Sequence, residues 1–561
     1  MRQTNLPCRL WEWKVKGESG SMMDNPRKDK GSATGMLLKG AAVLGLAAVL
    51  SKLIGTLQKI PLQNMAGDAV FGIYNAVYPL YILILFLATA GFPLVVSKFV
   101  AEQVAQRKYR AAARVLQVSI AVLMCTGVAC FLLLFFGSGW IAGLMGTPKA
   151  EPAIRSVSFA LLLVPVMSAL RGYYQGYQNM VPTAVSQVVE QTVRVATMFG
   201  LLLWFLKENY GPDSIAAGAT FGSVAGAAAG LAVMLWFRFR EPRPSSLTDN
   251  EPLEKIGPLV KRLVAYALPI CLGSVALPIL TLVDSFTMPR LLAERAGGEA
   301  EGLYQFGLYN HGLPLVQLVA MIASSMSAAL VPAIAEARLR GDREAVRSRT
   351  EAALRLTWFI GLAASFGLAA LAAPLNMMFF KTTEGSAAMA VLGFTALLST
   401  LNIVAGSVLQ GCGAVTAPAV YLLVAAALKV AGNELLMPRW GIDGAAVAAV
   451  AAYLAAGGLA LAHALRATGA RFPLAAYVYR PLTAVAAMCA GLLALRALAA
   501  YALPPGRGAA AVVALAGVAL GAVLYGVTLL RAGALTEGEL RLVPKVKEKH
   551  IALLKKYRFI R

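Results

Sequence analysis

Charge is scarce in this chain. Only 14% of its 561 residues are Asp, Glu, Lys or Arg, against about 25% in ordinary soluble domains. Hydrophobic residues make up 58%, more apolar surface than a water-soluble fold of this size can cover, so a soluble enzyme is excluded. Acids are rarer still, with 28 Asp and Glu against 51 Lys and Arg and a net charge of +23. In a soluble chain that excess would suggest nucleic acid. Here the basic residues cluster between apolar runs, the pattern that sets membrane topology. The six cysteines (Cys8, Cys125, Cys130, Cys271, Cys412, Cys489) form no CxxC. They read as packing residues, with neither disulfide nor metal. There are three histidines (His311, His463, His550) and no HExxH, and no Gly-Lys dipeptide occurs. A P-loop and an ATPase of the chain's own are therefore absent. No cofactor, no metal and no catalytic residue is expected.

What the chain does have is long apolar runs. A helix needs ~20 apolar residues to cross a bilayer. Such runs are read at 36–58, 70–97, 115–137, 154–173, 183–206, 214–237, 260–288, 304–332, 353–374, 386–409, 415–437, 442–465, 473–497 and 509–531. They are continuous, without the alternation of a membrane barrel. The expected fold is an all-α polytopic membrane protein of about 14 transmembrane helices. Basic groups such as Arg107, Lys108, Arg110 and Arg114, then Arg238, Arg240 and Arg243, then Arg338, Arg340 and Arg343, fall on one side of such a set. Asp68, Lys149, Glu151, Lys207, Lys381 and Arg439 fall in the opposite, poorer loops. Both termini are therefore expected in the cytoplasm of a multi-pass cell-membrane protein. Residues 1–35 lack the apolar core of a signal peptide. They are expected to be a disordered extension or a misplaced start, with Met22, Met23 and Met36 as alternatives.

The chain also repeats itself. Phe71-Gly72-Ile73-Tyr74-Asn75, with Pro79-Leu80, returns as Phe306-Gly307-Leu308-Tyr309-Asn310, with Pro314-Leu315 (306 − 71 = 235). Gln175-Gly176 returns as Gln410-Gly411, and Arg194 as Lys429, at the same spacing. Two pseudo-symmetric six-helix lobes follow: an N-lobe at 36–237 and a C-lobe at 259–465, joined by a cytoplasmic linker at 238–258. Helices thirteen and fourteen (466–531) and a basic cytoplasmic tail (532–561) lie outside the repeat. An even number of helices per repeat relates the lobes by an axis along the membrane normal, and a substrate path is expected between them.

A charge at the bilayer centre costs ~2.5–3.5 kcal/mol on insertion scales. Several residues nonetheless lie in or beside apolar runs: Lys52, Lys59, Arg171, Arg194, Arg290 and Lys429 among cations, Glu190, Asp284 and Glu434 among acids. The cations are expected to line a substrate cavity and the acids to lie in the cavity or in ion pairs. Glu190 and Arg194, four apart, are also placed to pair with each other. Lys59, Arg290 and Glu434 are alternatively placed to snorkel to the interface. An excess of buried cations suits an anionic cargo such as a diphosphate. His311 is expected to pack or hydrogen-bond rather than relay protons. Prolines at 79, 93, 165, 269, 278, 314 and 332 interrupt the helices, bends that suit either lobe rocking or static shaping of the bundle.

The block Arg171-Gly172-Tyr173-Tyr174-Gln175-Gly176 through Pro182-Thr183-Ala184-Val185-Ser186-Gln187-Val188-Val189-Glu190-Gln191 resembles the stage V sporulation protein B group. So do Ser51-Lys52 with Gly55, and Gly67-Asp68 before Gly72. That group holds polysaccharide-biosynthesis proteins and lipid II flippases within the MOP (multidrug/oligosaccharidyl-lipid/polysaccharide) exporter superfamily. The resemblance covers essentially residues 36–530. It implies a MATE/MurJ-like fold of fourteen helices in two lobes. It also implies alternating access and a lipid-linked cell-wall precursor as cargo, with membrane lipids as the other partner. In murein flippases basic residues on the first helix line the cavity. Here Lys52 stands at that position, and Gln58-Lys59 meets a second one approximately. Lys keeps the charge but loses bidentate phosphate geometry, which allows an undecaprenyl-diphosphate-linked sugar other than lipid II. A coupling ion, H⁺ or Na⁺, or the membrane potential is expected to drive transport. The competing expectation is a MATE-type multidrug/cation antiporter, which would need a cluster of buried acids.

Overall fold

In hydrocarbon, backbone N–H and C=O groups have no water to bond, so a long apolar run satisfies them by winding into a helix. A computed structural model follows that rule throughout. It describes residues 28–89, 91–240, 254–275, 278–473 and 475–533, and every regular element among them is a helix. Residues 1–27, most of the expected linker and all but the start of the basic tail lie outside the described residues.

The first half of the chain contains α1 (Lys28–Leu57), α2 (Lys59–Thr89), α3 (Phe92–Ala105), α4 (Tyr109–Phe136) and α5 (Ser138–Leu144). It continues with α6 (Glu151–Ser158), α7 (Ala160–Gly176), α8 (Val181–Lys207) and α9 (Pro212–Arg240). The second half opens with α10 (Ile256–Val275), α11 (Ile279–Ala296), α12 (Glu299–Tyr309) and α13 (Gly312–Leu339). Next come α14 (Arg343–Ala370), α15 (Ala372–Phe380), α16 (Ser386–Gly393) and α17 (Thr395–Gly411). α18 (Ala417–Trp440), α19 (Ile442–Thr468), α20 (Arg480–Ala502) and α21 (Arg507–Arg531) complete the chain. Twelve segments among the described residues are long and apolar enough to cross a membrane. The first of them, Val43–Ala105, has 63 residues, which is more than one crossing needs.

The repeat holds at the level of elements. α6 and α16 begin and end at the spacing read from the motifs, and so do α7 and α17. The breaks between them fall on repeat-related phenylalanines, Phe159 and Phe394. Asn75 donates to the Phe71 carbonyl at 2.8 Å, and Asn310 donates to the Phe306 carbonyl at 2.7 Å. The repeated asparagine thus bonds its own helix one turn back in both halves.

Three sequence expectations are corrected. The loop expected at 59–69 is helical: Gln58 N bonds Ile54 O at 3.0 Å and Leu62 N bonds Gln58 O at 3.2 Å. Helical geometry within α2 is interrupted at Gly67, a kink whose φ of 81° and ψ of 174° suit glycine. Gln58, Lys59 and Gln63 each find a partner on α2. Asp68, counted among loop residues, is therefore buried. The spans expected as single rods at 260–288 and 304–332 are each two helices, broken at Pro278 and at Asn310-His311.

Packing gives the bundle its order. α10 lies against α2, α3 and α4 of the first half, and α11 lies against α12 and α18 of the second and also against α2 of the first. α20 and α21 pack on α14 and α15 through Met488, Leu492, Tyr525, Phe359 and Leu371. Gly517 brings α21 onto Leu371, the close approach small residues permit. The two halves meet where α2 crosses α12, with Gly72 against Leu303 and Gly307 against Asp68.

Candidate functional site

α8 carries Glu190 and Arg194 one turn apart, and α9 fixes α8 in place. Glycines 218, 222, 226 and 230 recur every fourth residue on α9. A Cβ at Gly222 would lie 2.6 Å from the Arg194 carbonyl oxygen, and one at Gly226 2.6 Å from that of Glu190. Backbone packs on backbone there, and the Cβ atoms of Glu190 and Arg194 themselves lie against Gly230 and Gly226, so the glycines make room for both charged side chains at the α8–α9 seam. α7 brings Arg171 to the same residues of α8. Gly172, next in the chain, sits against the Pro93 carbonyl of α3 and locks the register.

These residues form one unit. Arg194 Nη2 lies 3.0 Å from Glu190 Oε1, and Arg171 Nη2 lies 2.9 Å from Glu190 Oε2. Arg171 also donates to Ser186 Oγ, at 2.7 Å from Nη2. Two guanidinium groups therefore share one carboxylate, and the side chains of all three residues are no more than 15% exposed.

α2 supplies an aromatic stripe. Tyr74, Tyr78 and Tyr81 are spaced four and then three residues apart, on one helical face. Tyr74 stacks on Tyr78 at 5.6 Å between ring centroids. The Tyr78 hydroxyl lies 3.5 Å from Arg194 Nη1, and its ring lies 6.0 Å from Lys59 Nζ. Tyr78 thus stands between the arginine pair and Lys59.

Lys59 is 7% exposed and has no acid partner among the described residues; Nζ donates to Asn75 Oδ1 at 3.2 Å. It was placed on sequence either in the cavity or at the interface, and it is buried. Lys52 lies two turns earlier, on the same face as Lys59. Its side chain is exposed and makes no hydrogen bond or ion pair among the described residues. Ser51 and Gly55, on either side of it, pack on Gln187 and Gln191 of α8. Four cations and one acid thus gather on α1, α2, α7 and α8. Gln58 Oε1, the Tyr81 hydroxyl, Gln191 Nε2 and Arg194 Nε in the same region are buried without a hydrogen-bond partner.

The repeat-related region of the second half is neutral. Lys429 Nζ lies 2.6 Å from Asp284 Oδ2, and both side chains are almost fully buried. Lys429 also donates to the Leu280 carbonyl, while Tyr309 and Asn433 donate to Asp284. Arg290 and Glu434 pair with each other between α11 and α18, nearly half exposed and away from both clusters. A surface recess of about 380 Å³ lies at the Tyr304–Trp440 end of the second half and includes none of the expected site residues.

Sequence reading missed the tyrosine stripe, Asn75, Ser186 and the glycine ladder of α9. The ladder and the Tyr74–Tyr78–Tyr81 spacing were visible signals. The sharing of Glu190 by Arg171 was not, because α7 and α8 come together only in the fold.

Polysaccharide biosynthesis proteins, as a family, match residues 37–338. The uncharacterized membrane protein YabM of Bacillus subtilis is 34% identical over 511 residues, which is 90% of this chain and 94% of YabM. The lipid II flippase MurJ of the same organism is 28% identical, over 75% of this chain and 80% of its own. Stage V sporulation protein B of B. subtilis is 27% identical, over 74% and 80%. Among solved structures, an inward-facing multidrug resistance MATE family transporter of the MOP superfamily superposes with a TM-score of 0.64 at 15% identity, over 75% of this chain and 94% of that one. A lipid II flippase MurJ in an inward closed conformation gives 0.62 at 12% identity, over 87% and 98%. The structural likeness is one of fold: nearly all helical, with long apolar helices.

Proposed function

Because the chain belongs to the polysaccharide biosynthesis protein family, we propose that it is a flippase. Its cargo is an undecaprenyl-diphosphate-linked cell-wall precursor, lipid II or a related oligosaccharide, moved from the inner to the outer leaflet by alternating access. The observation that carries this reading is the cationic excess around Tyr78 and Glu190: Lys59, Arg171 and Arg194 against Glu190 alone, with Lys52 exposed on α1, which packs on α8. Phosphate oxygens take charge-assisted hydrogen bonds from such groups. The unpartnered amide and hydroxyl atoms of Gln58, Gln191 and Tyr81 add capacity for a polar headgroup. A lipid tail stays in the bilayer while the headgroup passes.

The basic loops put both termini in the cytoplasm. Moving one negative charge outward is favoured by ~2.3 kcal/mol per 100 mV of inside-negative potential, so the membrane potential drives release without a nucleotide. The two expected lobes, at 36–237 and 259–465, are the bodies that rock. Lys429 and Arg290, each already held by an acid, serve the shape of the second lobe rather than the cargo.

A multidrug or cation antiporter would need acids free to hold a cation. Glu190 is gripped by two arginines and Asp284 by Lys429, which disfavours that reading. The test is reconstitution in vesicles with a fluorescent lipid-linked precursor. Lys52→Ala combined with Arg194→Ala is expected to abolish flipping, and flipping at the unaltered rate would overturn the proposal.

A further inference from the structure

The contact between Asp68 and His311 lies where the two halves meet, and its hydrogen bonds impose a proton count. His311 is fully buried; its Nε2 lies 2.6 Å from Asp68 Oδ1 and its Nδ1 lies 2.8 Å from Asn376 Oδ1. The amide group of Asn376 settles the tautomer. Asn376 Nδ2 donates to the Glu384 carbonyl at 2.7 Å and to Ser386 Oγ at 3.1 Å. A carbonyl only accepts, so Asn376 must turn its NH₂ there and its oxygen toward His311. His311 Nδ1 is therefore a donor. A neutral imidazole with its proton on Nδ1 presents a lone pair at Nε2. A lone pair facing a carboxylate oxygen at 2.6 Å is repulsive unless a proton lies between them.

We infer that Asp68 and His311 form a proton-binding site that clasps the two halves together. The joined pair holds one proton beyond a carboxylate and a neutral imidazole, whichever atom carries it. When the halves part at this end, the O···N hydrogen bond breaks. The carboxylate and the imidazole are then left to water, and the proton leaves to solvent.

The surroundings make the site specific. Phe380 stacks on the imidazole at 4.0 Å between centroids, and Phe71 flanks it at 6.0 Å. Gln63, just before Gly67, donates to both Asp68 oxygens, bonds that an ionised carboxyl accepts and that a neutral one still has lone pairs to accept. Every other charged or titratable group nearby is engaged elsewhere. On α12, Tyr304 donates to Glu384, which lies between α15 and α16, and Glu301 accepts from Gln305. Lys381, after α15, donates to the Asn64 carbonyl. On α11, Asp284 is held by Lys429 and Arg290 by Glu434, and Arg295 donates to the Met437 carbonyl. Lys59 is bonded to Asn75. α15 and α16 contain no titratable residue.

A closed state that binds one more proton than the open state loses stability as pH rises. The closed-to-open ratio is expected to fall by up to about tenfold per pH unit. The proton site stands on its own geometry; that it couples to cargo rests on the flippase reading. The experiment uses the full-length protein in lipid nanodiscs. Fluorophores are attached through unnatural amino acids at exposed Glu208 in the first half and Arg439 in the second, and their distance is followed from about pH 5.5 to about pH 8.5. The short-distance population is expected to fall as pH rises. Asp68→Asn, whose amide can donate to Nε2 without a titrating proton, is expected to stay closed at every pH. His311→Gln is expected to remove the pH response as well. A distance that ignores pH in the unaltered protein, or a pH response kept by Asp68→Asn, would overturn the inference. Vesicle flipping is measured separately: a pH-dependent distance without flipping would refute the flippase reading and leave the proton site standing.

Discussion

Gly72 and Gly307 meet where α2 crosses α12, each against the other helix. A Cβ on Gly72 would fall 2.2 Å from the Leu303 carbonyl oxygen, and a Cβ on Gly307 would fall 2.1 Å from the Asp68 carbonyl oxygen. Leu303 stands to Asp68 as Gly307 stands to Gly72 in the repeat. The contact is therefore reciprocal, residue for residue.

Alanine at either glycine forces these backbones apart. Gly72→Ala or Gly307→Ala is expected to destabilise the protein by about 1–3 kcal/mol, the usual range for overpacking. Gly45→Ala and Gly526→Ala, where a Cβ meets nothing within 4 Å, serve as controls and are expected to cost little. Thermal unfolding in detergent measures all four. Equal melting temperatures for Gly72→Ala and the controls would contradict the close crossing.

Glu190 neutralises two arginines, so its removal is expected to cost more than removal of either partner. Glu190→Gln leaves two guanidinium groups side by side, and breaking a buried ion pair costs about 3–5 kcal/mol. Arg171→Met alone leaves a one-to-one pair with Arg194 and is expected to cost less. Denaturation midpoints of the two variants and of the double variant give the coupling. A Glu190→Gln variant as stable as Arg171→Met would show that the carboxylate is not shared in solution.

Lys59 separates stability from transport. It is buried with an amide as its hydrogen-bond partner, and an unpaired buried charge is costly. Lys59→Met is expected to raise the melting temperature while cutting precursor flipping at least about tenfold, a trade common at functional sites. Lys59→Arg is expected to retain part of the flipping. Lower stability together with unaltered flipping in Lys59→Met would place this lysine in the framework instead.

Lys429 is the repeat partner of Arg194, yet it is expected to behave as framework. Lys429→Met leaves Asp284 buried and unpaired, at a cost of about 3–5 kcal/mol. Asp284→Leu in the same chain is expected to recover most of that loss, because an apolar pair replaces an ion pair well. Unfolding midpoints of the single and double variants decide it. No recovery in the double variant would mean that the pair is not mutually neutralising.

Much of this fold was legible before the structure. The apolar runs located the helices, because in a membrane a continuous run without barrel-type alternation satisfies its backbone only as a helix. The repeated Phe-Gly-x-Tyr-Asn located the two halves. Helix ends were harder. Asp68 fell in a loop between two apolar runs because polar side chains inside a crossing are costly, and its partner His311 becomes a neighbour only after folding. The site was partly legible in the same way. Glu190 and Arg194 are four residues apart and their pairing is local. Arg171, Tyr78 and Lys59 reach them from three other helices, and no spacing along the chain encodes that meeting. For Lys429 the repeat suggested a role shared with Arg194, while in the fold an acid on α11 without a counterpart in the first half (Asp284 corresponds to Val49) holds it.

The reciprocal glycine crossing has a consequence for how the molecule holds itself. A surface that meets its own duplicate residue for residue is what a symmetric dimer presents. Here both copies belong to one polypeptide, so the interface keeps its geometry while its occupancy no longer depends on protein concentration. Freed from identity, each copy can diverge around a common axis of contact: one side has kept its charge unbalanced, and the other has become electrically silent.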